Sequence, residues 1–405
     1  LSRNLGSGNL TSVTGLIQSL VSGAYTWSDL RYDTEENFGI RATTGGLSDG
    51  LCEPINCFQE NVVILELSLG YTTIMEAVTE IKNNHNPLDQ SYTIEVQNSN
   101  TYSEQVDING ITTASDKTLT IRAKSGQSPT VTGSGTRMYC FHIDGVDYVK
   151  IKGFNLTDCS GTDCANVQLT NADYCVITEN TMYNTEEVFI DLDNSCEYDT
   201  IKYNYMHSND AYEGICIGYP NGSCHNCIVH HNLFEDVYGS CITYNNGSNN
   251  GYVYNNTFYL RHSNSLSCLS ITDDGGTGTK AENNIFYVRG GTLLNTNYAI
   301  ENDNTSDPTF SSNYNCYYLS GSSDYAAYYE GSSYQELTDW QATGNDINSI
   351  QSNPQFVTNG SDFHLQSTST CNGGGTYEGG DWPPTIESGG SWAIKGNDSP
   401  CIDPG

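Results

Sequence analysis

The sequence predicts an all-β protein built as a parallel β-helix, in which short strands wind into stacked coils, and three observations support this prediction. Between residues 148 and 290 one tripeptide recurs, an asparagine followed by any residue and then a large apolar residue. Its copies lie 24, 28, 24 and 28 residues apart and begin at Asn180, Asn204, Asn232, Asn256 and Asn284. Each interval holds two or three short β-type runs separated by Asn, Gly, Ser and Asp. The interval is also shorter than the roughly 40 residues of a propeller blade and lacks the two helical patterns of an α-solenoid.

The five repeated asparagines are expected to have a structural role. In a parallel β-helix, equivalent residues of neighbouring coils stack about 4.8 Å apart and form ladders. Asparagine tolerates the left-handed backbone conformation of tight turns, and stacked asparagine amides hydrogen-bond along the axis. We therefore expect one asparagine in the same turn of each coil.

Residues 1–60 lie outside the repeat. Apolar residues at helical spacing within residues 13–21 predict a short helix, with Thr11 or Ser12 as its N-cap. We interpret residues 1–60 as a segment for attachment or assembly, and the alternative is a cap on the β-helix. Residues 61–290 are then expected to hold a capping helix and the regular coils. The repeat period loosens in residues 291–405, which are expected to form irregular closing coils and a C-terminal cap.

A second helix is predicted just before the first coil. Its apolar stripe consists of Ile74, Ala77, Val78 and Ile81. Thr73 and Glu76 have the spacing of a capping box, in which each side chain hydrogen-bonds to the backbone N–H of the other residue. Three runs that alternate with period two follow, at residues 92–96, 105–108 and 119–123.

Two stretches resemble one protein family. After the predicted helix the chain reads SYTIEVQNSNTYSEQVDI, KTLTIRAKSG and PTVTG, and near its end it reads ELTDWQATGNDINSIQSNPQFVTNGSDFHLQ and SPCIDPG. Both stretches are similar to the pectin-lyase-like right-handed parallel β-helix superfamily, in its bacterial secreted or surface and viral spike forms. The resemblance covers about residues 70–405 and implies a right-handed coil whose first turn is capped by the helix. It says little of activity, because this superfamily contains lyases, hydrolases, esterases, adhesins and viral spikes.

The charge of the chain argues against one class of partner. The sequence has 48 acidic and 15 basic residues, which gives a net charge of −33. Nucleic acid is not an expected partner, because its binding depends on neutralising phosphates with cations. A membrane span is not expected either, since no apolar run approaches roughly 18 residues.

The cysteines suggest two uses. The chain has 15 of them, and a close pair such as Cys159 and Cys164 suits a disulfide in an oxidising compartment. Cys216, Cys241 and Cys268 instead fall 25 and 27 residues apart, one per coil, as expected of a ladder of buried thiols. Both uses stay open at this point.

Polar residues in the loops before successive strands form the candidate site, together with two tyrosines. With the coils stacked, carboxylates of adjacent loops are expected within about 5 to 10 Å of one another. The candidates for carbohydrate binding are Glu186, Asp210, Glu213, Glu235, Asp236, His262, Tyr317 and Tyr318. Exposed tyrosines suit stacking on sugar rings. In enzymes of the family that the chain resembles, polysaccharide binds along the outer face of one sheet and its flanking loops.

The same region permits two further interpretations. If the protein is an enzyme, the candidate catalytic residues are Glu187, Asp210, Glu213 and Arg261, because paired carboxyl groups serve as acid and base in glycoside hydrolysis. Glu187, Asp210 and Glu213 are weak candidates for binding Ca²⁺, which prefers oxygen ligands. No other cofactor is expected. The alternative to both is a solvated acidic edge without a specific role.

The motifs of characterised enzymes with this fold are incomplete in the chain. Of the polygalacturonase motifs, only the DDG sequence at residues 273–275 has a counterpart. The Asp, Asp and Arg set of pectin methylesterases has none, although Asp191 and Asp193 lie at the end of a predicted strand. A pectate lyase needs a basic residue as proton acceptor, and Arg261 is the single candidate near the acidic residues.

These observations favour a non-enzymatic structural protein. We predict an extracellular, cell-surface or virion-surface β-helix, such as a decoration, spike or fibre subunit. It is expected to self-assemble or to join a larger particle through residues 1–60, and to bind polysaccharide. The alternative is a secreted polysaccharide lyase or glycoside hydrolase acting in a groove lined by acidic residues.

Overall fold

The computed structural model describes residues 70–207, 211–219, 222–261, 266–272, 276–290, 296–303, 309–358 and 361–365, and the backbone of short strands between residues 2 and 66. Residues 357, 358, 362 and 364 are also described by their backbone alone. The chain divides into two compact units, residues 1–62 and residues 63–405.

The first unit contains short antiparallel strands. These are Ser2–Leu5, Leu10–Thr11, Arg31–Tyr32, Glu36–Ala42, Gly50–Leu51 and Ile55–Cys57. Glu36–Ala42 is the central strand and pairs with three of the others. The helix predicted within residues 13–21 lies outside the described residues.

Three sheets of ten strands each form the walls of the second unit. Sheet one contains Val63–Glu66, Tyr92–Val96, Leu119–Ala123, Val149–Lys152, Val176–Thr178, Thr200–Lys202, Ile228–His230, Tyr252–Tyr254, Lys280–Glu282 and Ser311–Asn313. Sheet two contains Thr101–Tyr102, Thr130–Thr132, Asn155–Thr157, Thr181–Tyr183, Tyr205–His207, Leu233–Glu235, Thr257–Leu260, Ile285–Val288, Cys316–Leu319 and Ile350–Gln351. Sheet three contains Val106–Asn109, Tyr139–Asp144, Ala165–Thr170, Val188–Asp193, Glu213–Ile217, Ser240–Tyr244, Ser267–Ile271, Asn297–Asn302, Asp324–Tyr329 and Ser332–Tyr334.

The chain visits the three sheets in turn, so each strand pairs with the equivalent strands one coil before and one coil after it. These pairs are parallel, and about eight turns stack in this way. The parallel β-helix predicted from the repeat is therefore confirmed. At its C-terminal end Ser332–Tyr334 turns back and pairs antiparallel with Asp324–Tyr329, and Phe356–Thr358 forms an antiparallel pair with Asp362–Leu365.

Ladders of apolar side chains fill the interior, because alternate residues of each strand point inward. Leu169 and Leu192 are fully buried register partners in sheet three. In sheet two the rings of Phe234, Phe258 and Phe286 stack with centroids 5.0 and 5.1 Å apart. These rings are the apolar residues of the recurring tripeptide, so the repeat marks the inner face of the coil.

The repeated asparagines form a buried ladder, as expected. Asn232 donates from its backbone N–H and from Nδ2 to Oδ1 of Asn256, at 3.0 and 3.1 Å. Its Nδ2 also donates to the carbonyl oxygen of Ile201 at 2.9 Å. The same two bonds to the next asparagine recur along the ladder, which continues to a sixth member, Asn315.

The position of the left-handed residue differs from the expectation by one residue. Positive φ angles belong to the residues just before the asparagines, such as His231 (55°) and Asn255 (55°). The asparagine that follows turns its side chain inward, where its amide group satisfies neighbouring backbone groups. Expecting the left-handed conformation at the asparagine itself was therefore wrong.

Two α-helices accompany the described coils. They are α1, Ile74–Asn84, and α2, Leu337–Gln341. The capping box of α1 is present, because Glu76 N–H donates to Thr73 Oγ1 at 3.1 Å and Thr73 N–H donates to the Glu76 carboxylate at 3.2 Å. The four apolar residues of its predicted stripe are buried. Glu104 accepts from the N–H groups of Ile74 and Met75 at 2.9 and 3.0 Å, which ties the start of α1 to the coil.

No helix among the described residues is long and apolar enough to cross a membrane.

The cysteines whose side chains are described are buried thiols. Of the two uses left open for the cysteines, a disulfide between Cys159 and Cys164 is not formed. Instead, Cys159 Sγ lies 3.4 Å from Cys140 Sγ.

The expected cysteine ladder is wrong in register. Cys241 and Cys268 do stack in the interior of neighbouring coils, since their strands pair with Ile242 opposite Leu269. Cys216, however, lies opposite Thr243 on the outer face of sheet three.

Candidate functional site

The outer face of sheet three carries a row of side chains able to hydrogen-bond. Gln168, Asp191, Cys216 and Thr243 are register partners in four consecutive coils. Because successive residues of a strand point to opposite faces, these four stack at steps of about 4.8 Å with their side chains outward. They are between 1% and 6% exposed. We call this recessed set the sheet-three row.

Asp191 supplies the carboxyl group of the row. Its Oδ1 atom is buried and has no hydrogen-bond partner. The pKa of Asp191 is raised to about 8, mainly by burial. A hydrogen bond from Gln168 lowers this pKa, whereas the negative charges of Asp193 and Glu213 raise it further. At pH 7 the carboxyl group is therefore mostly protonated, so it can donate as well as accept a hydrogen bond.

Glu213 supplies a second carboxyl group beside the row. It begins the strand Glu213–Ile217, and its Oε1 accepts a hydrogen bond from Thr243 Oγ1 at 3.1 Å. Burial raises the pKa of Glu213, and hydrogen bonds from Cys216 and Thr243 oppose the rise. Carboxyl groups of two adjacent coils therefore face the same row, and burial favours the neutral form of both.

Exposed tyrosines stand at both ends of the strand Glu213–Ile217. Tyr212, 63% exposed, precedes the strand, and Tyr219, 54% exposed, follows it. Tyr238 of the next coil meets Tyr212 edge to face with ring centroids 6.0 Å apart. The close approach of these loops requires glycine at position 239, where a Cβ atom would lie 1.7 Å from the Tyr212 carbonyl oxygen. Such rings combine an apolar face with a polar tip beside the recessed row.

Of the residues predicted from the sequence, Glu213 adjoins this row, whereas Glu186 and Glu187 make contacts in the preceding coil. Glu186 accepts from the N–H of Gly161 at 3.0 Å, and Glu187 accepts from the N–H of Asp163 at 2.5 Å. Both carboxylates thus hold the loop before strand Ala165–Thr170. Two backbone donors there are satisfied by side chains of the next coil.

Glu235, Asp236 and Arg261 form a second group, next to sheet two. Arg261 donates from its backbone N–H and from Nε to the Asp236 carboxylate at 2.9 and 2.8 Å, and from Nη2 to Glu235 at 3.4 Å. The hydrogen bond to Asp236 raises the pKa of Arg261. Its guanidinium carbon also lies 5.1 Å from the centroid of the Tyr259 ring. The guanidinium is therefore held as a charged donor, which is unsuited to accepting a proton.

The remaining predicted site residues fall elsewhere. Asp210 and His262 lie outside the described residues. Tyr317 is fully buried and donates from its hydroxyl to Asp346 Oδ2 at 2.8 Å, so it packs in the core. Tyr318 is partly buried, and its ring centroid lies 4.6 Å from that of Tyr287 on the outer side of sheet two.

Within the part of the chain that the structure describes, no group of three or more His, Cys, Asp or Glu residues is placed to hold a metal ion. Of the calcium candidates, Glu187 accepts from the backbone N–H of Asp163, and Glu213 accepts from the hydroxyl of Thr243.

Sequence reasoning identified Glu213 beside the row but did not identify the row itself as a site. The signal was present in Phe189–Asp193, where Asp191 and Asp193 alternate with apolar Ile190 and Leu192 and so lie on the opposite face. Gln168 and Thr243 gave no comparable signal, because their places in the row follow from the register between coils. The tyrosines at residues 212 and 238 stood in loops without periodicity.

No protein-family model and no curated protein matches the chain. Several solved structures are similar in fold. An alginate lyase from Paenibacillus is 13% identical over 66% of this chain and 90% of its own, with a TM-score of 0.44. Pectate lyase C from Erwinia chrysanthemi is 11% identical over 72% and 80%, with a TM-score of 0.43. A surface adhesin of Streptococcus pneumoniae is 11% identical over 60% and 69%, with a TM-score of 0.39.

The lyases among these structures belong to the pectin-lyase-like β-helix superfamily, which is the family that the sequence resembles. At these identities and TM-scores the likeness is one of fold. It carries no argument on activity, substrate or partner, which must come from the residues of this chain.

Proposed function

We propose that the protein is an extracellular or particle-surface β-helix that binds an uncharged glycan along the outer face of sheet three. The observation that carries the proposal is the unpartnered, buried Oδ1 of Asp191 within the row Gln168, Asp191, Cys216 and Thr243. A buried polar atom without a partner costs free energy of about 1–3 kcal/mol, which a ligand that hydrogen-bonds to it recovers.

The charges around the row favour a neutral ligand. The charged groups that act on Asp191 are Asp193, Glu213 and Asp163, all of them acidic. An anionic glycan is repelled there, whereas sugar hydroxyl groups both donate and accept. The exposed rings of Tyr212 and Tyr238 supply apolar faces for a sugar ring.

Titration calorimetry with a panel of neutral oligosaccharides tests this proposal. Tyr212→Ala and Asp191→Ala are each expected to weaken binding about fivefold or more, since each removes a contact worth about 1 kcal/mol or more. Tyr314→Ala is the matched control, because Tyr314 is 58% exposed and follows the sheet-one strand Ser311–Asn313. Equal losses in all three variants, or binding of no neutral glycan, contradict the proposal.

A second candidate function is hydrolysis of the same glycan. Asp191, with its pKa raised to about 8, is suited to act as an acid, and Glu213 provides a second carboxyl group in the adjacent coil. Release of reducing ends that is lost in both Asp191→Asn and Glu213→Gln supports hydrolysis. Release of unsaturated ends instead supports a lyase. Binding without turnover leaves the non-enzymatic function.

Residues 1–60 are proposed to attach the protein to a particle or to further copies, and α1 is proposed to cap the first coil. The buried stripe of α1 and its bonds to Glu104 support the capping role, because an uncovered coil end exposes apolar interior and strand edges. Light scattering on the whole chain and on residues 61–405 tests attachment. Defined oligomers that become monomers on deletion support it, whereas an unchanged mass contradicts it.

A further inference from the structure

Sheet one carries a surface of the opposite charge. The chain has 15 basic residues, and four of them lie on the outer face of sheet one within four consecutive coils. They are Arg122, Lys150, Lys152 and Lys202, which we call the basic patch. Arg122, Lys152, Thr178, Lys202 and His230 form one row of register partners. Arg122 and Lys152 are therefore one coil spacing of about 4.8 Å apart along the axis, and Lys202 lies two spacings beyond Lys152.

Acidic groups balance the patch only in part. Arg122 pairs with Glu95 at 2.8 Å, and Lys152 pairs with Glu179 at 2.8 Å. Lys150 and Lys202 make no ion pair with any residue that the structure describes. The five consecutive sheet-one strands that run from Leu119–Ala123 to Ile228–His230 contain no acidic residue. Four cations thus face two carboxylates in a chain that has 48 acidic residues available.

The like charges repel one another inside the patch. Burial lowers the pKa of Lys150, and the positive charges of Lys152, Lys202 and Arg122 lower it further. Between Lys152 and Lys202, the hydroxyl of Thr178 is buried and has no hydrogen-bond partner. Such a group of cations is costly without counter-charge, which makes the patch a favourable place for an anion.

Aromatic rings border the patch on its C-terminal side. Lys202 Nζ lies 5.9 Å from the centroid of the Tyr203 ring. The His230 ring, next in the row, stacks on Tyr254 with centroids 4.7 Å apart. A ligand lying along this row would contact cations in the N-terminal coils of the row and aromatic rings in its C-terminal coils.

We propose that the basic patch and its bordering rings bind an anionic glycan that carries sulfate esters. Ammonium groups act as point charges for oxyanions, their spacing follows the coils, and the rings suit contact with sugar. Nucleic acid fits poorly, because four cations neutralise few phosphates beside a net charge of −33. At physiological ionic strength charges beyond about 8 Å are screened, so the local patch governs contact with a ligand.

Binding of dextran sulfate and of unsulfated dextran of the same length, measured by calorimetry, tests this proposal. The whole chain is expected to bind the sulfated polymer and not the plain one. The double variant Lys150→Gln with Lys202→Gln is expected to bind about tenfold more weakly or worse. Glutamine keeps the first two methylene groups of each lysine stem and stays polar, so the fold is expected to be preserved. Lys280→Gln is the control for loss of one lysine charge from sheet one outside the patch, and the single variants Lys150→Gln and Lys202→Gln are its charge-matched counterparts.

Three results overturn the proposal. One is the absence of binding at about 0.15 M salt, and another is equal affinity of the double variant and the Lys280→Gln control. The third is polyphosphate binding as tightly as dextran sulfate, which makes the surface a general polyanion site with no part for the sugar. Tyr212→Ala, on sheet three, is expected to leave dextran sulfate binding unchanged, so this site and the neutral-glycan site fail or succeed independently.

Discussion

Asn315 donates from Nδ2 to Oδ1 of Asp346 at 2.8 Å, and both residues are buried. This bond ends the asparagine ladder. Throughout the ladder the donor belongs to the earlier coil and the acceptor to the later one, so the amide dipoles add along the axis. A carboxylate at the donor end is favourable for the same electrostatic reason as an acidic residue at a helix N-terminus.

Asp346→Asn is expected to destabilise the closing coils by about 3 kcal/mol. Asp346 Oδ2 also accepts from Trp340 Nε1 at 2.7 Å and from the Tyr317 hydroxyl at 2.8 Å. An amide group at this position removes the charge, and its NH₂ group would face other hydrogen-bond donors where the carboxylate accepts from them. Guanidinium unfolding followed by tryptophan fluorescence measures the loss. Asp339→Asn, exposed on α2, is the control, and equal midpoints for the two variants contradict the ladder-end role.

Asn232→Ala is expected to cost about 3 kcal/mol, because it leaves buried ladder partners unsatisfied on both sides. The backbone N–H and Nδ2 of Asn204 lose their acceptor, and Oδ1 of Asn256 loses one of its donors. The midpoint of urea unfolding by circular dichroism provides the measurement. Asn348→Ala, at an exposed turn, should shift the midpoint little. A similar small shift in Asn232→Ala counts against the ladder as a main stabilising element.

His230 is expected to make stability depend on pH between about 4 and 6.5. Burial, then the charges of His231 and Lys202, lowers the pKa of His230 from 6.5 to about 4. The unfolded chain therefore binds this proton more readily, so the contribution is present above pH 6.5 and is lost as the pH falls toward 4. The change amounts to at most about 3 kcal/mol.

Thermal unfolding between pH 4 and 7 tests this dependence. His230→Gln is expected to show a smaller decrease in melting temperature at low pH than the unsubstituted chain. His142→Gln on sheet three is the control and should leave the decrease unchanged. Identical pH profiles for His230→Gln and the unsubstituted chain refute the prediction.

Asp191→Asn is expected to stabilise the protein at pH 8 by a few kcal/mol. The pKa of Asp191 is raised from 3.8 to about 8, so the folded state holds a proton that the unfolded chain releases. Stability is lost as the pH rises from about 4 to 8, and the amide removes this dependence. Unfolding free energies at pH 5 and pH 8 measure the effect, with Asp144→Asn on the same face as control. A stabilised variant that no longer binds glycan would indicate strain kept for function.

Oxidative refolding is expected to join Cys140 to Cys159, whose sulfur atoms lie 3.4 Å apart. Two thiols give one disulfide while one molecule of oxidised glutathione is reduced to two of glutathione, so electrons and protons balance. Peptide mapping without reductant identifies the pair. A bond between Cys159 and Cys164 is the result that contradicts this prediction. Cys140→Ala should leave Cys159 as a free thiol.

The elements that followed from the sequence are those with a local signal. The capping box of α1 lies within four residues, and the asparagine ladder repeats a tripeptide at almost constant steps. The ladder was followed only to Asn284 because the next step, to Asn315, lengthens to 31 residues. A loop that is longer by a few residues changes the interval in the sequence, so the repeat is harder to recognise, but it leaves the stacking of the coils unchanged.

The contacts that were missed depend on register between coils. Cys216 and Cys241 are 25 residues apart and looked equivalent, but the coils there are offset by 27 residues, as the pairing of Glu213 with Ser240 shows. Because of that difference of two residues, Cys216 pairs with Thr243 on the outer face, whereas Cys241 lies in the interior. Asp346 was out of reach for another reason, since its four donors come from separate parts of the closing coils.

The stacking of strands from coil to coil has a mechanical consequence. Because the ladder bonds between coils run along the axis, tension on the two ends of the β-helix loads the outermost coil and leaves the inner ones intact. Coils then peel away singly, each freeing 24 to 31 residues, or roughly 80 to 110 Å of extended chain. Under force the β-helix therefore lengthens in steps of one coil each, and it unfolds completely only after many such steps.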